Sequence, residues 1–250
     1  MTNNNQDTVT AAMLVIGDEI LSGRTKDKNI GYVAEFLTAI GIDLEEVRVV
    51  PDDQDRIVEA VNALRARYTY VFTSGGIGPT HDDITADSIS AAFGVPCHEN
   101  PEAVAVLEEH YRTSDLPFTD ARRRMTRTPV GASLITNPVS KAPGFRMENV
   151  HVMAGVPKIM QAMMDSIAPT LKGGTPMQSR TVECPLGEGT VGGPLAELQA
   201  KHPNTMMGSY PRYNDGSFST HLVVRSRDET ALEAAVADVR AMVDRLSSES

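Results

Sequence analysis

The chain has 250 residues, 41% apolar and 22% charged, with 23 basic and 33 acidic side chains and a formal net charge of −10. That mixture is ordinary for a globular protein, and its acidic balance argues against nucleic acid as a main partner. No run of about 18 apolar residues marks a membrane span, and Cys97 and Cys184 have neither metal-ligand nor framework spacing, so they read as free thiols of a reducing, cytoplasmic setting.

Residues 1–10 read as a disordered tail, because Met1 to Thr8 are polar and lack the apolar core of a signal peptide. A first strand follows over Ala11 to Ile16 and ends at Gly17-Asp18-Glu19. From Asp27 to Ile40 the apolar positions Ile30, Val33, Leu37 and Ile40 recur at helical spacing, and Gly41 closes the helix. Asn29 is read as part of that helix start. Ile42 to Val50 is a second strand. Pro51-Asp52-Asp53 then opens a helix, with Asp53 the expected N-cap and Ile57, Val58, Val61 and Leu64 its apolar stripe. Thr69 to Thr73 is a third strand, and Ala86 to Phe93 the next helix. Alternation of this kind favours a parallel sheet covered on both faces. Ligands bind such sheets beyond the carboxyl ends of the strands, where three acidic loops are expected to meet.

A helix over Pro101 to Tyr111 begins at Asn100, and Phe118 to Thr128 reads as a basic helix carrying Arg122, Arg123, Arg124 and Arg127. Those arginines form either a solvated face or a contact to a ligand phosphate. Short strands over Ser133 to Ile135 and Val150 to Met153 flank a turn-rich loop that includes Ala142 to Phe145. Pro157 suits the first turn of a helix running to about Thr170. Residues 173–177 read as a linker. Residues 178–247 then spell a small β-α-β-β-α domain, with a hairpin turn at Asn214-Asp215-Gly216.

The densest chemistry lies between the third strand and its helix, in Thr73-Ser74-Gly75-Gly76-Ile77-Gly78-Pro79-Thr80-His81-Asp82-Asp83-Ile84-Thr85. Glycines allow a tight turn and leave room for a ligand, and backbone N–H groups at a helix N-terminus can gather on an anion. Thr73, Ser74, Gly75, Gly76, Ile77, Gly78, Thr80 and Thr85 are therefore the candidate phosphate-binding residues. Asp82 and Asp83 follow at once, and acids beside a phosphate cradle suggest metal-assisted phosphate chemistry. The plain alternative is a Gly-rich turn with an N-cap aspartate. Asp83, Asp52 and Asp82 are the candidate catalytic residues, and Asp18, Glu19 and Asp83 the candidate ligands of a divalent metal, Mg or similar. The six histidines are scattered without zinc-site spacing.

Taken in order, Gly17-Asp-Glu-Ile-Leu21, Thr73 to Thr80, Asp82-Asp-Ile-Thr85, Asn137-Pro-Val139, Ala142-Pro-Gly-Phe145 and Gly155-Val-Pro157 resemble the MoaB/Mog molybdopterin-binding domain. They resemble more narrowly the N-terminal region of competence/damage-inducible CinA proteins, and the same domain type occurs in some eukaryotic FAD synthases. The resemblance covers residues 11–172 and extends to the minor second domain of CinA-like proteins. It implies a three-layer α/β/α sandwich with a mostly parallel sheet, plus a small α+β C-terminal domain. It also implies two activities: metal-dependent hydrolysis of ADP-ribose, and binding or adenylylation of molybdopterin with Mg-ATP. Of the two aspartates that matter in Mog-type proteins, one matches Asp52, with Asp53 as the other choice, and the second matches Asp83. A departure is Ser140-Lys141 where relatives commonly carry Gly-Thr. The deamidase domain of full-length CinA has no counterpart within these 250 residues.

The expected function is therefore a nucleotide pyrophosphatase acting on ADP-ribose-like substrates. The alternatives are a molybdopterin-binding or adenylylating protein and a non-catalytic nucleotide-binding regulatory module. The expected partner is a small nucleotide or pterin phosphate, with no nucleic acid and no membrane. A homodimer is expected through the small domain, with a trimer as the alternative.

Overall fold

The computed structural model describes residues 8–114, 116–214 and 217–249. The chain divides into two compact units, residues 1–174 and 175–250. In the first unit the elements run β1 (Val9–Ile16), α1 (Asp18–Leu21), α2 (Asn29–Ala39), β2 (Ile42–Val50), α3 (Gln54–Arg67), β3 (Tyr70–Ser74) and α4 (Thr85–Phe93). They continue with β4 (Cys97–Glu99), α5 (Pro101–Arg112), α6 (Asp120–Arg123), β5 (Arg127–Pro129), β6 (Ser133–Ile135), β7 (Gly144–Met147), β8 (Val150–Met153) and α7 (Pro157–Ile167).

Six strands form one sheet in the order β2-β1-β3-β8-β7-β6. The first four run parallel, and β7 and β6 add an antiparallel edge. Strand β1 explains the layering. Its residues Ala11 to Ile16 are each at most 3% exposed, and successive side chains alternate between faces. Ala12, Leu14 and Ile16 pack with Ile57, Val61 and Leu64 of α3 and Ile89 of α4. Ala11, Met13 and Val15 pack with Val33 and Leu37 of α2 and Met160, Met163 and Met164 of α7. An unbroken apolar strand is thus the signature of a sheet buried on both sides, and the three-layer α/β/α sandwich follows from it.

Two local expectations are corrected. Residues 118–128 are not one basic helix. The chain makes the single turn α6, a 3-10 turn over Arg124–Thr126, and then β5, which pairs antiparallel with β4. Pro129 disfavours helix at the residue before it, and Thr128 instead pairs with His98. The loop expected around Ala142 to Phe145 holds strand β7 from Gly144 onward.

In the second unit β9 (Gln178–Cys184), α8 (Glu188–Lys201), β10 (Met206–Asn214), β11 (Ser217–Ser226) and α9 (Glu229–Ser248) give the expected β-α-β-β-α order. The strands form an antiparallel sheet ordered β10-β11-β9. Val182, Cys184, Leu222 and Val224 on one face pack against Val191 and Leu195 of α8 and Leu232, Val236 and Val239 of α9. The hairpin turn expected at Asn214-Asp215-Gly216 falls on residues 215 and 216, outside the described residues. Among the described residues no helix is long and apolar enough to cross a membrane.

His151 on β8 is 1% exposed and lies against Phe72 and Tyr70, with ring centroids 5.2 and 5.9 Å away. Burial, aided by the Arg146 charge, lowers its pKa from the ordinary 6.5 to about 4. Between those values the unfolded chain binds a proton that the folded chain refuses. The neutral ring's contribution is complete above pH 6.5 and is lost as pH falls to about 4, a difference of about 3 kcal/mol. We predict that His151→Leu gains on the wild type by that amount as urea unfolding is taken from pH 7 to pH 4. A constant gap between the two proteins across this range would refute the assignment.

Candidate ligand site

The carboxyl ends of β1, β3 and β8 open into one cleft of about 570 Å³. Its walls include Glu19 after β1, Gly75 to Pro79 after β3, and Gly155 and Pro157 after β8. Asn137, Ser140 and Ala142 supply a further side.

The glycine loop is shaped by the protein's own packing. Gly75 and Gly76 have φ of +111° and +68°, which L side chains rarely adopt. A Cβ at Gly75 would strike the Ile16 carbonyl, one at Gly76 the Thr85 hydroxyl, and one at Gly78 would lie 2.6 Å from Asp83 Oδ2. The sequence reading had the glycines clearing space for a ligand. At these three positions the space is already taken by β1 and by the loop itself. Thr85 is fully buried; its hydroxyl donates to the Gly75 carbonyl at 3.0 Å and its N–H to the Gly76 carbonyl at 3.0 Å. Ser74 and Thr73 are also buried. Ser74 Oγ accepts from Asn29 Nδ2 at 2.7 Å, while Thr73 Oγ1 has no partner among the described residues. Of the eight candidate phosphate-binding residues, Gly75 to Gly78 line the cleft, and Thr73, Ser74, Thr80 and Thr85 stand behind or beside it.

The acids separate by role. Asp53 is the N-cap of α3 and accepts from Arg56 N–H at 3.0 Å. Asp52 instead turns to the end of β1, where its Oδ2 accepts from Asp18 N–H at 3.0 Å. Burial raises the Asp52 pKa, and the charges of Glu19, Asp18 and Asp82 push it the same way against that hydrogen bond. The three acidic loops expected to meet therefore do so around Asp52. Asp83 does not cap α4, whose N-cap position is Ile84. Its Oδ2 accepts from the Thr80 N–H at 2.8 Å and the Thr80 hydroxyl at 2.6 Å, closing a small turn on the cleft wall. Asp82 is exposed, and the nearby Thr80 hydroxyl and its own N–H hold its carboxyl below the usual range. Among the described residues no three His, Cys, Asp or Glu side chains close on one metal position.

The four arginines of the basic segment are engaged within the protein. Arg124 donates to the Thr80 and Asp83 carbonyls at 3.2 and 3.3 Å, tying down the loop from outside. Arg127 clasps Asp87 with both nitrogens. Arg123 bridges Glu99 and Glu108, and Arg122 donates to the Pro117 carbonyl.

Two asparagines, Asn29 at a helix start and Asn137 in a family motif, organise the walls through hydrogen bonds that the sequence does not disclose. Asn29 joins two cleft walls, because its Nδ2 donates to Ser74 Oγ and, at 2.8 Å, to the Gly155 carbonyl; its Oδ1 is buried without a partner among the described residues. Asn137 folds the opposite wall by donating to Ser140 Oγ and the Ala142 carbonyl while accepting from Val139 and Ser140 N–H. Lys141, the departure noted in the sequence, sits there at φ +64°. The available signal for Asn29 was a polar residue, weak in helices, placed just after Asp27, whose carboxylate already serves the Asn29 and Ile30 N–H groups.

Residues 176–249 match the middle domain of FAD synthase. A protein of Pyrobaculum arsenaticum is 33% identical over 211 residues, covering 81% of this chain and 80% of that protein. A probable FAD synthase of Caenorhabditis elegans is 29% identical over 94% of this chain, which spans only 50% of that protein. Among solved structures, the CinA protein of Thermoplasma acidophilum, described as of unknown function, is 33% identical with a TM-score of 0.60 over 64% of this chain and 96% of that one. Residues 12–173 match the family described as probable molybdopterin binding domain, and the chain belongs to that family, with a CinA-like form of its fold.

Proposed function

We propose that the first unit binds a nucleotide pyrophosphate of the ADP-ribose kind and, with a divalent metal such as Mg, hydrolyses it. The observation that carries this reading is a glycine loop that shares one cleft with Glu19 and Asp83, with Asp52 held beside it at the end of β1 by the Asp18 N–H. Loop N–H groups are suited to phosphate oxygens. The carboxylates crowded around Asp52, whose charges add to the effect of burial in raising its pKa, are suited to a cation. Mg binds through one or two carboxylates together with substrate phosphates. Asp52 and Glu19, with Asp18 beside them, would hold the ion, which supplies neutralisation of charge at phosphorus.

The remaining work falls to the chain itself. Asp83, fixed by Thr80, stands on the cleft wall with Oδ1 left to orient a water and take its proton. The water oxygen bonds to one phosphorus, the bond from that phosphorus to the bridging oxygen breaks, and AMP and ribose 5-phosphate leave. Asp82 contributes charge from outside rather than contact. A second reading, pterin binding with or without adenylylation, is favoured by the family match and by the apolar wall of Ile77, Pro79, Val156, Pro157 and Ile159, which suits a flat ring. The test is incubation of the intact chain with ADP-ribose, with FAD, and with ATP plus molybdopterin, each with and without Mg. Metal-dependent AMP release from ADP-ribose supports the first reading. Adenylylated pterin supports the second. Saturable binding without product from any of them defeats both catalytic readings.

Two variants check the residue roles. Asp52→Asn is expected to lower turnover by at least about 100-fold, whereas Asp53→Ala keeps turnover and loses about 1 kcal/mol of stability as an N-cap. Reversal of that pattern in steady-state assays and urea titrations would assign the site to the wrong aspartate. Asn29→Ala removes both cross-wall hydrogen bonds and is expected to destabilise the fold by about 1–3 kcal/mol. An unchanged unfolding midpoint would show that the two walls hold their positions without it.

A further inference from the structure

One face of the second unit's sheet packs on α8 and α9; the other carries a groove of about 320 Å³ lined by Thr181, Tyr210, Arg212, His221, Val223 and Arg225. Register explains the company these residues keep. Tyr210 pairs with His221, which pairs with Glu183 of β9, and Gly208 pairs with Val223, which pairs with Thr181. Arg212 and Arg225 lie on the same face at opposite ends of this patch.

Two features mark it as built for a ligand. First, the Tyr210 ring lies down over Gly208. A Cβ there would come within 3.2 Å of the ring edge and 3.3 Å of the phenol oxygen. The missing side chain lets an aromatic ring rest on the sheet while the residue stays 49% exposed. Second, neither Arg212 nor Arg225 has an ion-pair partner among the described residues. Two guanidinium groups thus bracket one groove on a chain of net charge −10. Glu183, opposite His221, is the acid that the register brings nearest.

We propose that this face binds a nucleoside phosphate, its base on the Tyr210 ring and its phosphate on a guanidinium. A flat ring resting on a sheet offers a stacking surface to a base, and arginine suits phosphate geometrically as well as electrically. The groove matches one small ligand in size. All the residues of this groove belong to the second unit, and the proposal does not depend on the reading given for the first.

The experiment is photolabelling of the intact chain with 8-azido-AMP, followed by peptide mapping. Label is expected on β10 and β11, displaced by AMP but not by equal inorganic phosphate. It should fall about tenfold or more in Tyr210→Ala and in the double variant Arg212→Glu/Arg225→Glu. The urea unfolding midpoint serves as an internal control that these variants leave unchanged. Label confined to residues outside β10 and β11 overturns the proposal, as does displacement by phosphate alone. Light scattering covers the remaining occupant: a dimer that the double variant dissociates would show that a second copy, not a nucleotide, takes this face.

Discussion

The close approach of Gly75 to the Ile16 carbonyl is the constraint on which the first unit's site depends. It brings the end of β3 onto the end of β1 with no side chain between them. Thr85 then closes the loop from inside through the Gly75 and Gly76 carbonyls, and Arg124 holds it from outside. Gly75 N–H also donates to the Met153 carbonyl at 3.1 Å, so β8 joins the same corner. Three parallel strands thus end within one hydrogen-bonded cluster, and the cleft is the space beyond it. A ligand entering there meets a backbone already fixed, which lowers the ordering cost of binding.

That rigidity has an electrostatic consequence. Because β1, β2 and β3 end together, the acids that follow each of them are forced together as well. Burial raises the Asp52 pKa, and the neighbouring charges of Glu19, Asp18 and Asp82 push it further in that direction. Carboxylates left to themselves would separate into solvent. Here the Asp18 N–H holds Asp52 in place at 3.0 Å. An acid kept in unfavourable company by the backbone is a preorganised group, and this distinguishes Asp52 from Asp53, whose carboxylate is accounted for by a helix end.

Much of this was legible in the sequence. The unbroken apolar run of β1 and the strand–helix alternation specified a parallel sheet with two covered faces. The order of short motifs specified the family. Local pattern failed where tertiary contacts decide. The arginines of residues 118–128 read as a helical face, yet Arg123, Arg124 and Arg127 are drawn to partners distant in sequence and Arg122 to the preceding loop, and β5 forms by pairing with β4. The glycines of the loop were legible as glycines, but not the reason for them, since Ile16 and Thr85 come close only in the folded chain. Asn29 was hidden for the same cause: its partners Ser74 and Gly155 lie 45 and 126 residues away.

On the readings proposed above, the two units would meet a phosphate in opposite ways. In the first, acids dominate, and direct contact with an anion would be unfavourable unless a cation intervened. Such a site is suited to chemistry, because the cation that permits binding also neutralises charge at phosphorus. In the groove of the second unit the charged side chains of the lining are guanidinium groups, which would attract an anion without a metal, with His221 the one acid or base among the lining residues and Glu183 beside it in register. A face of that kind is suited to holding a ligand rather than changing it. Chelation is therefore the condition that separates them physically: it should silence the carboxylate-lined cleft while leaving the arginine-lined groove its full attraction for phosphate.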